Sequence, residues 1–146
     1  MKKRLLILLC VLMSCGFGKA PDKLSPYIQA QINLNNGVID LSKFDLVEWD
    51  KLYIIAPYAP ERSFDANLLR YKSEITATQI GSLDDRCLLL LFNGDKMVNL
   101  SEVKRNVDFA ERRFIVNGKI GSYPRKNAVF GYKKDTTGRT SVTRNF

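Results

Sequence analysis

Histidine is missing from all 146 residues. That absence removes the commonest general base and the commonest metal ligand, and with them His-assisted nucleophilic catalysis and Cys/His metal sets. Cysteine is scarce: Cys10, Cys15 and Cys87 are the whole complement. Gly-rich phosphate loops and a Gly-x-Ser-x-Gly elbow are absent as well. No internal repeat or low-complexity block is present. Long apolar runs are also lacking. Leu5–Met13 holds nine residues, against the roughly 18 to 20 that a spanning helix requires.

What is present begins at the N-terminus. Lys2, Lys3 and Arg4 precede the apolar run, which closes in Leu12-Met13-Ser14-Cys15 with Gly16 behind it. A basic start, an apolar centre and a small-residue cleavage zone are the three parts of a secretion signal. The Leu-x-Ser-Cys ending resembles the lipobox of bacterial lipoproteins. The resemblance implies cleavage before Cys15 and a diacylglyceryl group on its sulfur. Two or three acyl chains hold firmly to a membrane, where one does not. Gly16 stands where an Asp would retain the protein in an inner membrane, so the periplasmic face of the outer membrane is expected in a Gram-negative host. Residues 1–14 are then signal peptide, and 15–26, with Gly, Ser, Pro and charge but no periodicity, are expected to be a flexible tether.

The mature chain would keep 132 residues, enough for one domain with a real core. With Cys15 acylated, Cys87 is its one free thiol and no intramolecular disulfide can form. The charge is uneven. Residues 15–103 carry 9 Lys/Arg against 12 Asp/Glu, whereas 104–146 carry 11 against 3. A basic C-terminal third near a membrane suits an acidic protein or an anionic envelope polymer. Nucleic acid is not expected as a partner of an exported protein.

Patterning predicts a strand over 27–34, where Ile28, Ala30, Ile32 and Leu34 alternate with polar residues. The Asn35-Asn36-Gly37 turn then predicts a hairpin into a strand over 38–41. Ser42 is placed to cap a short helical turn. Lys51–Ala56 reads as a central strand halted at Pro57. Ser63 is the expected cap of a helix carrying Phe64, Leu68 and Tyr71 inward. Arg86–Phe92 reads as a strand buried on both faces, turned at Asn93-Gly94-Asp95 and paired with 96–100. Ser101-Glu102 suggests a helical turn. Phe109–Val116 is a further expected strand, turned at Asn117-Gly118. Ala128–Tyr132 is the expected last strand, and 134–146 a polar tail. The domain would span 27–133. Together these predict an α+β fold: a mainly antiparallel sheet with one or two short helices on one face, and a core of Leu52, Ile54, Leu88, Leu90 and Phe92.

Chemistry has few candidates. Cys87 lies in an apolar strand with no base to activate it. Asp84-Asp85 reads as a solvated turn, and adjacent strand carboxylates point to opposite faces. Asp45, Glu48 and Asp50 form an acidic cluster that could serve an enzyme acting on envelope polymers. No cofactor and no metal site are expected. Phe44–Tyr58 (Phe-Asp-Leu-Val-Glu-Trp-Asp-Lys-Leu-Tyr-Ile-Ile-Ala-Pro-Tyr) is similar to an uncharacterised family of small bacterial envelope proteins, in which Trp-Asp-Lys opens a strand that ends in Pro-Tyr. The Cys87–Val98 hairpin and Asp108-Phe109 fall where that pattern has them. The resemblance implies a shared fold and no activity. Trp49 is the expected core anchor, with Asp50 capping beside it, and Tyr58 is a candidate surface contact.

The leading expectation is a non-catalytic binding module tethered in the cell envelope, an immunity-type inhibitor being one form. Its determinants would be Tyr58, Arg112, Arg113, Lys119, Arg125 and Lys126. The alternatives are the acidic-cluster enzyme and a passive structural component of the envelope.

Overall fold

Two sheets face each other across the larger part of the core, in a computed structural model that describes residues 22–143. The elements in chain order are α1 (Leu24–Asn33), β1 (Val38–Asp40), β2 (Lys51–Ile55), α2 (Ala66–Arg70), α3 (Lys72–Ala77), β3 (Arg86–Asn93), β4 (Lys96–Lys104), β5 (Val107–Asp108), β6 (Phe114–Val116), β7 (Lys119–Pro124), β8 (Val129–Lys134) and β9 (Thr140–Thr143). The five-stranded sheet runs β4-β3-β2-β7-β6 and is antiparallel throughout. The four-stranded sheet runs β1-β8-β9-β5, with β5 and β9 parallel. The fold is α+β and mainly sheet, as the patterning predicts.

The unbroken apolar run of β3 is explained by its cover. Cys87, Leu89 and Leu91 point into the core shared with α1 and the four-stranded sheet. Leu88, Leu90 and Phe92 point the other way, toward Phe64, Leu68, Ile75 and Ile80 on and around α2 and α3. These six residues of β3 are fully buried, the Leu and Phe side chains each contributing roughly 1.5 to 3 kcal/mol. The expected core residues Leu52 and Ile54 are fully buried too. Trp49 is 4% exposed and donates its indole N–H to the Phe44 carbonyl at 2.8 Å. It is the anchor expected of it.

Several elements differ from expectation. Residues 24–33 form a helix rather than a strand. Leu24, Ile28 and Ile32, one helical face at spacing four, are the buried set, while Leu34 is 67% exposed. Pro26 is tolerated because it sits in the first turn, where its missing N–H has no helical partner. The fold also begins before residue 27. Asp22 accepts from the Leu24 and Ser25 N–H groups at 3.0 and 3.2 Å and from the buried Ser101 hydroxyl at 2.6 Å, fastening the helix start to β4. The turn at 35–37 exists, with Asn35 and Gly37 at positive φ. It leads from α1 into β1, which pairs with β8 instead of with its neighbour in sequence.

Asp40, not Ser42, caps the 3-10 turn Leu41–Lys43. Asp65, not Ser63, caps α2, accepting from the Leu68 N–H at 2.9 Å. Ser63 lies in a 3-10 turn and donates to the Pro60 carbonyl. The β3–β4 hairpin is longer than predicted: Ser101 and Glu102 continue the ladder opposite Leu89 and Leu88. The stretch after Phe109 is a 3-10 turn, Ala110–Arg112, and the strand starts only at Phe114. A further strand, β9, lies inside the expected tail, with Thr140 and Val142 buried.

Candidate functional site

Cys15 and the signal segment lie outside the described residues. No helix among the described residues is long and apolar enough to cross a membrane.

The acidic cluster is dispersed in role. Asp45 and Glu48 are exposed, while Asp50 closes the β3–β4 turn. Both Asp50 carboxylate oxygens accept from the Gly94 N–H at 3.2 Å, its own N–H donates to the Phe92 carbonyl, and its carbonyl accepts from the Arg125 N–H. Asp85 pairs with Arg86, which also reaches Glu102 across the ladder. Among the described residues no group of three or more Cys, Asp or Glu is placed to hold a metal ion. The Cys87 thiol is buried, and burial, followed by the nearby Asp108 charge, pushes it up to about 11. It is a packing residue.

The most enclosed charged group is Asp108, at the end of β5. Its carboxylate accepts from Arg105 at 2.7 Å, from the Ala110 N–H at 3.0 Å and from Arg139. Burial works against the charge, but these hydrogen bonds outweigh it and hold the carboxyl below its ordinary range. Arg105 precedes β5 and Arg139 precedes its parallel partner β9, so the shared carboxylate ties the two strands together and staples β9 into the sheet.

The five basic residues singled out in the sequence separate into two groups. Arg125 is not available to a partner. Its guanidinium donates to the Ser42 and Phe44 carbonyls at 2.8 and 3.0 Å and lies 5.2 Å from the Trp49 ring centroid. Lys126, exposed, sits beside it at the same end of β7. The other three bracket the hairpin of β6 and β7. Arg112 and Arg113 precede β6. Lys119 follows the turn and donates to the Arg62 carbonyl at 2.7 Å. Arg112 is half-buried and its carbonyl accepts from the Tyr123 hydroxyl at 2.6 Å, whereas Arg113 and Lys119 are exposed.

Between these cations lies a feature that residue types alone did not single out. Phe114, Ile115 and Val116 are 45%, 49% and 46% exposed, three consecutive large apolar side chains on the edge strand. The hairpin is closed by Asn117 and Gly118, both at positive φ, the type I′ arrangement that suits sheet twist. Phe114 and Val116 lie across Gly121, where an added Cβ would stand 2.8 Å from Phe114 Cδ1 and 3.2 Å from Val116 Cγ2. Ile115 projects from the opposite face, beside its ladder partner Ile120. Apolar surface therefore wraps both faces of the edge. The available signal was Phe-Ile-Val running into Asn-Gly without the polar alternation of a half-solvated strand.

Tyr58 is 60% exposed and leaves the sheet at the same end as the hairpin turn, because β2 runs antiparallel to β7 with its C-terminus toward Lys119. Its φ of 58° is unusual for an aromatic residue and is held by its N–H donating to the Ile80 carbonyl at 2.9 Å. A groove of about 460 Å³ lies elsewhere, between α3 and the β4 edge, lined by Glu74, Thr78, Met97, Leu100 and Glu102 among others.

No family model matches the chain, and no curated protein or solved structure does either.

Proposed function

We propose that the protein is a lipid-anchored component of the bacterial envelope whose domain is a non-catalytic interaction module, and that the β6–β7 hairpin is its contact surface. The N-terminal signal ending at Cys15 supplies the anchor in this reading. One observation carries the choice of surface: Phe114, Ile115 and Val116 stand half out of the fold with Arg113 and Lys119 beside them. Monomeric proteins seldom leave contiguous apolar side chains of this size at a sheet edge unless something covers them. The bracketing cations select an anionic partner. Tyr58, at the same end of the sheet, extends the surface.

Two measurements test the reading. Intact mass of the membrane fraction should show an acylated chain starting at Cys15, and Cys15→Ser should abolish both maturation and retention. A photoreactive side chain at position 115 should label envelope material in cells. The same probe at Lys133, exposed on β8 of the other sheet, should not; equal labelling at both positions would falsify the hairpin as the contact surface.

A further inference from the structure

The hairpin geometry narrows what the partner is, and this step rests on the hairpin being the contact surface. We infer that the β6–β7 hairpin docks onto an anionic phospholipid bilayer, with Phe114, Ile115 and Val116 in the interfacial layer and Arg112, Arg113 and Lys119 at the phosphates.

Three occupants could cover an apolar sheet edge, and the structure distinguishes them. A second copy of the chain, pairing β6 with β6, would bring two sets of the same cations together. Arg62, whose backbone carbonyl accepts from Lys119, brings a further basic residue to the same segment. Of the nearby acids, Glu61 is already paired with Lys72, which leaves Glu111 and Asp65, the latter bound by the Tyr53 hydroxyl, against the more numerous cations. Charge therefore opposes self-association here.

An extended acidic segment of another protein would add a strand to β6. The edge is poorly made for that. In a two-residue hairpin Val116 and Lys119 exchange both backbone bonds, so within the three-residue strand only Ile115 turns its N–H and carbonyl outward. A short edge flanked by Lys and Arg is the usual device against strand addition.

A lipid interface meets none of these objections. It is fluid, so it can surround Phe114 and Val116 on one face and Ile115 on the other. It needs no backbone pairing, and its phosphates answer the bracketing cations, each worth about a factor of five in partition near an anionic surface. Interfacial binding scales with apolar area buried and with attraction of cations to anionic lipid, and the hairpin offers both.

Hydrogen exchange on the full-length protein, as purified from its cells, tests this with two kinds of vesicle: phosphatidylcholine alone, and an equal mixture with phosphatidylglycerol. With the mixture, partition of the hairpin should rise by about 25-fold, the exposed cations Arg113 and Lys119 each contributing about a factor of five, and exchange over Arg113–Lys119 should slow accordingly. With phosphatidylcholine alone it should not slow. The double variant Arg113→Gln/Lys119→Gln should return exchange to the phosphatidylcholine rate, with β3 amides at Leu88–Leu91 as protected as before, which shows that the fold is intact. Equal slowing with both vesicles, or slowing with neither, overturns the inference. In that event, protein adducts from the position 115 probe leave the contact surface standing with a protein partner. No adduct at all removes both.

Discussion

β3 and β6 carry the same local signal and meet opposite fates. Leu88–Phe92 and Phe114–Val116 are both unbroken apolar runs, each next to an Asn-Gly turn. In β3 every one of those side chains is fully buried; in β6 each is close to half exposed. The difference is position. β3 lies inside the five-stranded sheet, with α2 and α3 on one face and the four-stranded sheet on the other. β6 is the edge strand, beyond the reach of either covering layer. An apolar strand thus reports core or contact surface according to topology, which its own residues do not contain.

The sharpest way to break this comparison is to truncate both strands. Leu89→Ala should cost about 2 to 5 kcal/mol in denaturant unfolding, because it leaves a cavity between two packed layers. Ile115→Ala should cost no more than about 1 kcal/mol, because about half of the residue is already exposed. Comparable losses would mean that the β6 edge is covered in the folded protein.

A second contrast lies within the basic residues. Arg125→Ala should cost about 2 kcal/mol, since it strips donors from the Ser42 and Phe44 carbonyls and uncovers the Trp49 ring. Lys126→Ala, one residue on, should stay within about 0.5 kcal/mol. Thermal unfolding of the two variants side by side checks this. Equal effects would return Arg125 to the partner surface on which the sequence pattern had placed it.

Much of the fold was legible in the sequence, for reasons particular elements make plain. β2 and the β3–β4 hairpin were readable because apolar runs and turn residues act locally. α1 was misread because Ile28, Ala30, Ile32 and Leu34 satisfy period two, while the helical spacing shows only when Leu24 joins Ile28 and Ile32. Leu24 lay in a segment whose composition suited a tether. β9 was missed because its partners β5 and β8 come from elsewhere in the chain, and its alternation of Thr140 and Val142 is weak amid polar neighbours. Of the candidate site, Arg113, Lys119 and Tyr58 were nameable from residue type and turn position. The exposure of Phe114–Val116 was not, since it depends on which strand ends up at the edge.

The Asp108 staple tests whether the cover over β3 includes β9. Its carboxyl is held below the ordinary carboxylate range, so its contribution to stability is complete above the unfolded-state value of about 3.9. That contribution is lost as pH falls through the folded-state value. Unfolding free energy should therefore decline on acidification below about pH 4. Asp108→Asn should be less stable than the parent at neutral pH by about 1 to 2 kcal/mol, having lost charge-assisted bonds to Arg105 and Arg139. The gap between the two proteins should narrow in acid. A gap that stays constant with pH would remove Asp108 as the titrating group.

The smallest expected effect is on the hairpin itself, and it is the most discriminating. Ile115→Ser replaces an apolar group that is 49% exposed on one face of an edge strand. About half of the residue already meets water in the folded state, so the change in unfolding free energy should be held to about 1 kcal/mol. Solubility should rise instead, because the exposed apolar edge is the part of the molecule most open to unwanted association. Light scattering on heating, with Leu34→Ser as a matched control at a site 67% exposed, separates the two accounts. If Leu34 is an isolated surface residue and the hairpin an uncovered contact surface, Ile115→Ser alone should delay aggregation despite a slight loss of stability. Equal delay in both would reduce Phe114–Val116 to ordinary surface variation, and β6 would cease to differ from β3 in anything but exposure.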